Sequence, residues 1–385
     1  MSVVDLPNGV KHPRPKIAFF RKGAIPIANE RVAEYLQQKF PEYELDVIDL
    51  TLLFEREMRP TFYFNSLQTF FSFAGDLLTQ RKKAKEAFWR TRYLFQQIKK
   101  LAAERLNPAE YAFSFQMQSL FDASVPGIPH FIYTDHTNLA NLSYPAFDPH
   151  DLYPPWCIEL EHDIYRNAAM VFTRSHNITQ SVVAEYRIAA EKVACVYAGS
   201  NAPLDNTIQL DNDDYTNQNI LFVGIDWERK GGPELVAAFE HLHQRYPHAQ
   251  LTIVGASPTL HLPNCQVVGR VPIHQVSEYY RKASIFCLPT KLEPFGIAFV
   301  EALAHKLPIV GTNIGAIPDF VQDGTNGYLV EPYNVPQLVE ALDKLLGDAD
   351  RCRRFGEEGN RQAMRRYNWE AVIERMEGHI RPLLA

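Results

Sequence analysis

The sequence predicts an α/β protein made of two doubly wound domains, each a mostly parallel sheet flanked by helices. Three observations point there. At 385 residues the chain is too long for one typical hydrophobic core. It opens with an apolar strand, a loop, a helix and a second strand. After a polar stretch around residue 210 the same alternation starts again.

Taken in order, residues 16–20, KIAFF, form the first strand. The loop RKGAIP follows at 21–26, then a helix at 28–40 and a strand at 44–48. A β-loop-α-β opening marks a doubly wound sheet. Residues 111–115 and 130–133 are buried strands, 159–167 a helix, 170–173 a strand, 177–186 a helix and 193–197 a strand. Residues 200–219, SNAPLDNTIQLDNDDYTNQN, carry neither period and make the interdomain linker. Strands resume at 220–223, 251–254, 266–268, 285–288, 308–310 and 327–330, with helices such as 233–244 and 276–282 between them. Residues 351–380 are helical, with Trp369, Val372, Ile373 and Met376 as a packing stripe. The expected domains are 1–200 and 201–365, with a helical segment 366–385 crossing back to the first.

Composition narrows the function. Hydrophobic residues make up 46% and charged residues 22%, as in an ordinary globular protein. The net charge of -6 argues against nucleic acid as a partner. The five cysteines have no C-x-x-C spacing, so reduced thiols are expected rather than a disulfide framework or a zinc site. The N-terminal stretch lacks a signal-peptide apolar core, and no apolar run reaches about 18 residues. A cytoplasmic protein is expected, soluble or at most peripheral at the inner face of a membrane.

Residues 62–106 stand apart. They begin FYFNSLQTFFSFAGDLL and continue with a basic segment in which Ala84, Ala87, Phe88, Leu94, Phe95, Ile98, Leu101 and Ala102 recur at helical spacing. Arg81, Lys82, Lys83, Lys85, Arg90, Arg92, Lys99 and Lys100 supply the charge. This is either a core-packing helix with a solvated basic face or a helix lying on a membrane surface.

The chemistry concentrates in 288–304, LPTKLEPFGIAFVEALA. A buried strand ends, a loop carries Glu293, Pro294, Phe295 and Gly296, and a helix follows with Glu301 inside it. The unsatisfied N–H groups of a first helical turn and the helix dipole favour an anion there. Gly296 permits close backbone approach. In an open α/β sheet, ligands bind outside the carboxyl ends of the strands, where this loop lies.

The stretch EPFGIAFVEALA resembles the E-x7-E signature of retaining glycosyltransferases of family 4, which adopt the GT-B fold: two Rossmann-like doubly wound domains facing an interdomain cleft. Other segments are similar in order and spacing. They are ILFVGIDWERKGG at 220–232, AQLTIVG at 249–255, VVGRVPIHQVSEYY at 267–280 and PIVGTNIGAIPDFVQDGTNGYLVEP at 308–332. The resemblance covers 219–369 well, 171–201 moderately and the first half weakly.

The resemblance implies roles. Glu301 would bond the ribose hydroxyls of a nucleotide sugar. Glu293 would hold the donor sugar, and the backbone of Phe295, Gly296 and Ile297 would bind sugar or phosphate. Lys230 would neutralise the diphosphate, and Gly23 would approach the phosphates or the reacting sugar. Arg270 and Val271, in the G-x-V segment, would lie near the base. Asp135 and His136, just past the strand at 130–133, would stand beside the donor sugar. No cofactor or metal is implied, and Asp211–Asp214 is solvated linker. One departure matters: the family usually has Gly-Arg after its first donor-domain strand, and here Ile225 follows Gly224. Either Arg229 supplies the second cation or the site has one. Arg21 and Lys22 are phosphate or acceptor contacts, or merely solvated.

The expected activity is transfer of a hexose, with retention, from a UDP- or GDP-sugar to a hydroxyl on a glycan, lipid or small metabolite. The alternatives are a sugar-nucleotide epimerase or hydrolase of the same fold, and a non-catalytic sugar-nucleotide-binding protein at a membrane surface.

Overall fold

The computed structural model describes residues 14–24, 28–200 and 215–384. The chain divides into two compact units. One comprises Met1–Asn141, Asp148–Tyr197 and Trp369–Ala385, the other Leu142–Phe147 and Ala198–Asn368.

The first unit holds strands β1 (Lys16–Arg21), β2 (Glu44–Asp49), β3 (Tyr111–Met117), β4 (His130–Thr134), β5 (Met170–Thr173) and β6 (Val193–Cys195). They form one sheet, all pairs parallel, in the order β2-β1-β3-β4-β5-β6. Ile17, Phe19, Phe113, Phe115, Phe131 and Phe172 are wholly buried, because helices cover both faces of a parallel sheet. Its helices are α1 (Ala28–Lys39), α2 (Leu50–Arg56), α3 (Arg59–Leu78), α4 (Ala84–Ala87), α5 (Arg92–Arg105), α6 (Pro155–Asn167) and α7 (His176–Gln180).

The second unit holds β7 (Asn219–Gly224), β8 (Gln250–Gly255), β9 (Cys265–Gly269), β10 (Ile285–Leu288), β11 (Ile309–Thr312) and β12 (Gly327–Val330). These too run parallel, in the order β12-β11-β10-β7-β8-β9. The helices are α8 (Gly232–His243), α9 (Val276–Lys282), α10 (Ile297–Ala304), α11 (Ile317–Phe320), α12 (Val335–Leu346) and α13 (Ala349–Arg366). A last helix, α14 (Trp369–Ile380), belongs to the first unit. Its stripe of Trp369, Val372, Ile373, Met376 and Ile380 is buried, and Arg375 donates to the Val196 carbonyl at 3.1 and 2.8 Å.

Three features differ from the sequence-based expectation. The helical segment 351–380 is two helices broken at Tyr367–Asn368, where the chain passes from one unit to the other. The linker is shorter than 200–219: Tyr215 is buried with its hydroxyl on the Lys306 carbonyl at 2.8 Å, and Asn219 opens β7. Residues 201–214, including Asp211–Asp214, lie outside the described residues, as do Ile25 and Pro26 of the first loop. Residues 62–106 are not one helix. Thr91 caps α5 by accepting from Leu94 N at 3.1 Å, and α3 is kinked at Phe73, whose ring packs on Tyr153 and Trp156.

Of the apolar stripe, Ala87, Leu94, Ile98 and Ala102 are buried in the first unit's core. Lys82 is buried too, paired with Asp76 at 2.8 Å. By contrast Tyr63, Phe64, Leu67, Phe70 and Phe71 on α3 are exposed, Phe71 by 74%. No helix among the described residues is long and apolar enough to cross a membrane.

Candidate active site

In the second unit β7 leads through α8 to β8 on one side, while its other neighbour, β10, leads through α10 to β11 on the opposite side. The direction of winding therefore reverses between the parallel β7 and β10, and the loops leaving their carboxyl ends diverge around a crevice. Those loops are 225–231 and 289–296, which carry Arg229, Lys230, Glu293, Phe295 and Gly296 of the sequence-predicted residues.

The loops meet through side chains. Lys230 forms an ion pair with Glu293, and the two side chains are only 13% and 8% exposed. Burial pulls the Lys230 ammonium below its ordinary range; the Glu293 carboxylate opposes this and Arg229 adds to it. Arg229 bridges the loops differently. Its Nη1 donates to the Leu292 carbonyl at 2.6 Å and its Nε to Asp226 at 3.2 Å. Lys291 is paired with Glu234 at 2.8 Å. Lys230 and Lys291, each only 13% exposed, are thus the little-exposed ammonium groups of these loops among the described residues, while Arg229 ties loop to loop.

Backbone geometry fixes this approach. Gly231 caps α8 with φ of 75°, and a Cβ there would lie 1.9 Å from the Pro289 carbonyl oxygen. Gly296 caps α10 with φ of 94°. In the first turn of α10, Phe299 N bonds the Gly296 carbonyl at 2.9 Å, and the N–H groups before it lack an intrahelical acceptor, as at any helix start. Phe295 is anchored by its ring on Phe320 at 5.3 Å, which sets the position of Gly296 and Ile297.

Glu301 sits one turn into α10. It accepts from the Tyr280 hydroxyl at 3.2 Å, and burial raises its carboxyl to about 7. Tyr280 stacks on His305 with centroids 5.0 Å apart, and His305 bonds the Glu301 carbonyl at 2.7 Å and Ser277 at 2.8 Å. Tyr280 and His305 went unnoticed in the sequence; the apolar spacing of 276–280 was the available signal. Tyr144 was missed too: it belongs to the second unit and donates to the Glu293 carbonyl at 3.0 Å. Arg270, exposed, and Val271 follow Gly269 at the carboxyl end of β9.

In the first unit, Asp135 and His136 directly follow β4. Asp135 accepts from Arg174 at 3.4 Å, and His136 Nε2 bonds Asn141 at 2.9 Å. Beneath them the buried Glu161 accepts from Asn138 N at 3.0 Å and Nδ2 at 2.8 Å, from Ser119 and Tyr165 at 3.0 Å, and from Tyr186. So many donors keep a buried carboxylate satisfied and hold the 135–138 loop. After β1, Arg21 pairs with Asp49 at 3.1 Å and Gly23 accepts from Asn29 Nδ2 at 2.9 Å.

Fold and site together define a class. Residues 211–362 match the family model of glycosyl transferases group 1. The solved sucrose-phosphate synthase from Thermosynechococcus elongatus aligns over 96% of this chain and 99% of that one, with a TM-score of 0.65 and 17% identity. Anabaena HepE, solved with UDP and glucose, aligns over 95% and 99% with a TM-score of 0.62 and 13% identity. The fold is GT-B, two Rossmann-like units in one chain, and the group 1 match falls on the second.

Among particular relatives, the alpha-maltose-1-phosphate synthase of Mycolicibacterium smegmatis is 30% identical over 179 residues, 40% of this chain and 45% of that protein. The GDP-mannose-dependent alpha-(1-6)-phosphatidylinositol monomannoside mannosyltransferase of Mycobacterium tuberculosis is 28% identical over 171 residues, 40% and 44%. These matches span less than half the length of either curated relative.

Glu301 lends itself to a pH test. A carboxylate that accepts from ligand hydroxyls must be ionised, so a ligand-free group near 7 makes binding cost protons below that value. If Glu301 holds a nucleotide sugar, as proposed below, affinity for it is expected to rise roughly tenfold between pH 6 and pH 8, and Glu301→Gln to flatten the profile while weakening binding. Calorimetry at three pH values checks this; a profile identical in both proteins removes Glu301 from the site. Glu293→Gln is expected to lower kcat more than donor affinity.

Proposed function

We propose that this chain is a retaining hexosyltransferase of family 4 that uses a UDP- or GDP-sugar and passes the sugar to a hydroxyl of a glycan, lipid or small metabolite. The observation that carries the reading is the Lys230–Glu293 pair at the β7/β10 crevice, with Glu301 one turn into the adjoining helix. Departure of a nucleoside diphosphate builds negative charge where a buried cation and a helix start are already aimed, which lowers the barrier without reorganisation. Glu301 would hold the ribose and Glu293 the sugar, with the backbone at 295–297 on the phosphates. The group 1 match over this unit supports the same assignment.

The test is a screen of the purified chain against UDP-, GDP- and ADP-sugars, with release of the nucleoside diphosphate as readout, with and without lipid extract. Acceptor-dependent release is expected. Release that needs no acceptor means a hydrolase or epimerase, and tight binding without turnover means a binding protein.

No metal or cofactor enters this reading, because Lys230 and the start of α10 take the place of a diphosphate-bound cation. EDTA is expected to leave turnover unchanged. Loss restored by magnesium or manganese would contradict the assignment.

Peripheral membrane contact at the cytoplasmic face is part of the proposal. Its support is the exposed aromatic run on α3, followed in the sequence by the exposed Arg81, Lys83 and Lys85.

A further inference from the structure

The first unit has a topological switch point of its own. β1 and β3 are neighbours, yet β1 leads to β2 on one side and β3 to β4 on the other. A pocket of about 800 Å3 opens there, within one unit. Lys22 and Gly23 from the loop after β1 and Gln118 from the turn after β3 line it. Its opposite wall comes from the segment between β2 and β3, through Phe62, Lys85, Phe88 and Trp89. The volume is that of a small-molecule site, and the position is where open α/β sheets bind ligands.

The chemistry of the wall is uneven. Phe62 packs on Phe88 with centroids 5.2 Å apart, and Phe88 on Trp89 at 5.8 Å, a continuous aromatic surface. The Lys22 ammonium stands 4.9 Å over the Trp89 ring. Among the described residues no carboxylate lies within ion-pair reach of it. Lys85 adds a second positive charge against one carboxylate of the lining, Glu55. Burial first, then repulsion from Arg90 and Lys85, opposed by Glu86, bring the Lys22 ammonium down to about 8. A partly buried cation without an anionic partner gains more from an arriving anion than a solvated one does. An aromatic wall with few hydrogen-bonding groups suits an alkyl or aryl group better than a free sugar.

We infer that this pocket receives the acceptor as an amphiphile, an apolar group joined to a phosphate, with the phosphate on Lys22 and Lys85 and the apolar group against Phe62, Phe88 and Trp89. The word acceptor rests on the transferase reading; the binding chemistry does not. The phosphate belongs either to a soluble phosphate ester or to a lipid headgroup.

The test is equilibrium binding to the full chain without nucleotide sugar, by calorimetry, with hexyl phosphate, hexanol and inorganic phosphate as probes. Hexyl phosphate is expected to bind at least about tenfold more tightly than either fragment, since it engages both cation and aromatic wall. Lys22→Met and the exposed-site variant Lys85→Gln should each weaken hexyl phosphate, Lys22→Met by roughly tenfold. Phe62→Ala should weaken hexyl phosphate and leave inorganic phosphate unchanged. Hexyl phosphate binding no better than hexanol, or equally well to folded Lys22→Met and Lys85→Gln variants, overturns the inference.

Vesicles of phosphatidic acid that compete with hexyl phosphate identify the source as a lipid; vesicles that do not compete identify a soluble ester. Either result supports the pocket's chemistry. Nucleotide-sugar binding measured in parallel separates the two readings. A chain that binds hexyl phosphate and no nucleotide sugar loses only the transferase reading. The reverse pattern loses only this pocket.

Discussion

Lys230→Ala is expected to lower kcat about a hundredfold, the usual cost of removing one group aimed at developing charge, near 3 kcal/mol. The structure adds a second effect. Lys230 is the partner of a Glu293 side chain that is only 8% exposed. Removing it strands a buried carboxylate, which costs about 3 kcal/mol of stability. The two effects can be separated. In Lys230→Ala combined with Glu293→Gln no unpaired charge remains, so the melting temperature should recover while turnover stays low. Thermal melts and single-turnover kinetics on both variants check this. Near-normal turnover in either folded variant would remove Lys230 from the reaction.

Gly231→Ala should be the more damaging change to the fold of the site. Its φ of 75° lies in the left-handed region, which costs a residue with a Cβ about 1–2 kcal/mol. The larger cost is steric, since the Cβ would meet the Pro289 carbonyl oxygen at 1.9 Å. The 225–231 loop would have to lift off the end of β10, taking Lys230 away from Glu293 and Arg229 away from the Leu292 carbonyl. A loss of more than about 3 kcal/mol is expected, together with loss of nucleotide binding. Native melting with native affinity would show that the two loops need not touch.

Much of this architecture could be read from residues alone, and the reason is physical. Strands such as 285–288 and 327–330 are short apolar runs between polar loops, which is how a strand covered on both faces looks in any parallel sheet. The Glu293–Glu301 spacing across a strand-loop-helix junction was equally legible, because both residues are local to one motif.

What escaped notice depends on encounters between distant positions. Lys230 and Glu293 are 63 residues apart, and nothing local in either loop announces that they pair. The residues alone leave open whether Arg229 supplies a second cation, and nothing in them announces its guanidinium contacts with Leu292 and Asp226. The Tyr280–His305 stack beneath Glu301 joins two helices in the same way. Residues 62–106 misled differently. Their apolar spacing is real, but Thr91 starts a new helix in its middle, and a cap of one hydroxyl leaves little trace in periodicity.

The return of α14 to the first unit has a consequence for biosynthesis. Residues 198–368 of the second unit leave the ribosome as one uninterrupted stretch and need only the earlier 142–147 to be complete. The first unit, although nearly all of it is translated earlier, must wait for Trp369, Val372, Ile373, Met376 and Ile380 to close its core. Domains generally fold in the order they are made. Here the order is inverted: the later unit can finish while the earlier one still exposes the apolar surface that α14 will cover. A chain truncated after Asn368 should therefore present a protease-resistant second unit beside a first unit that is readily cleaved.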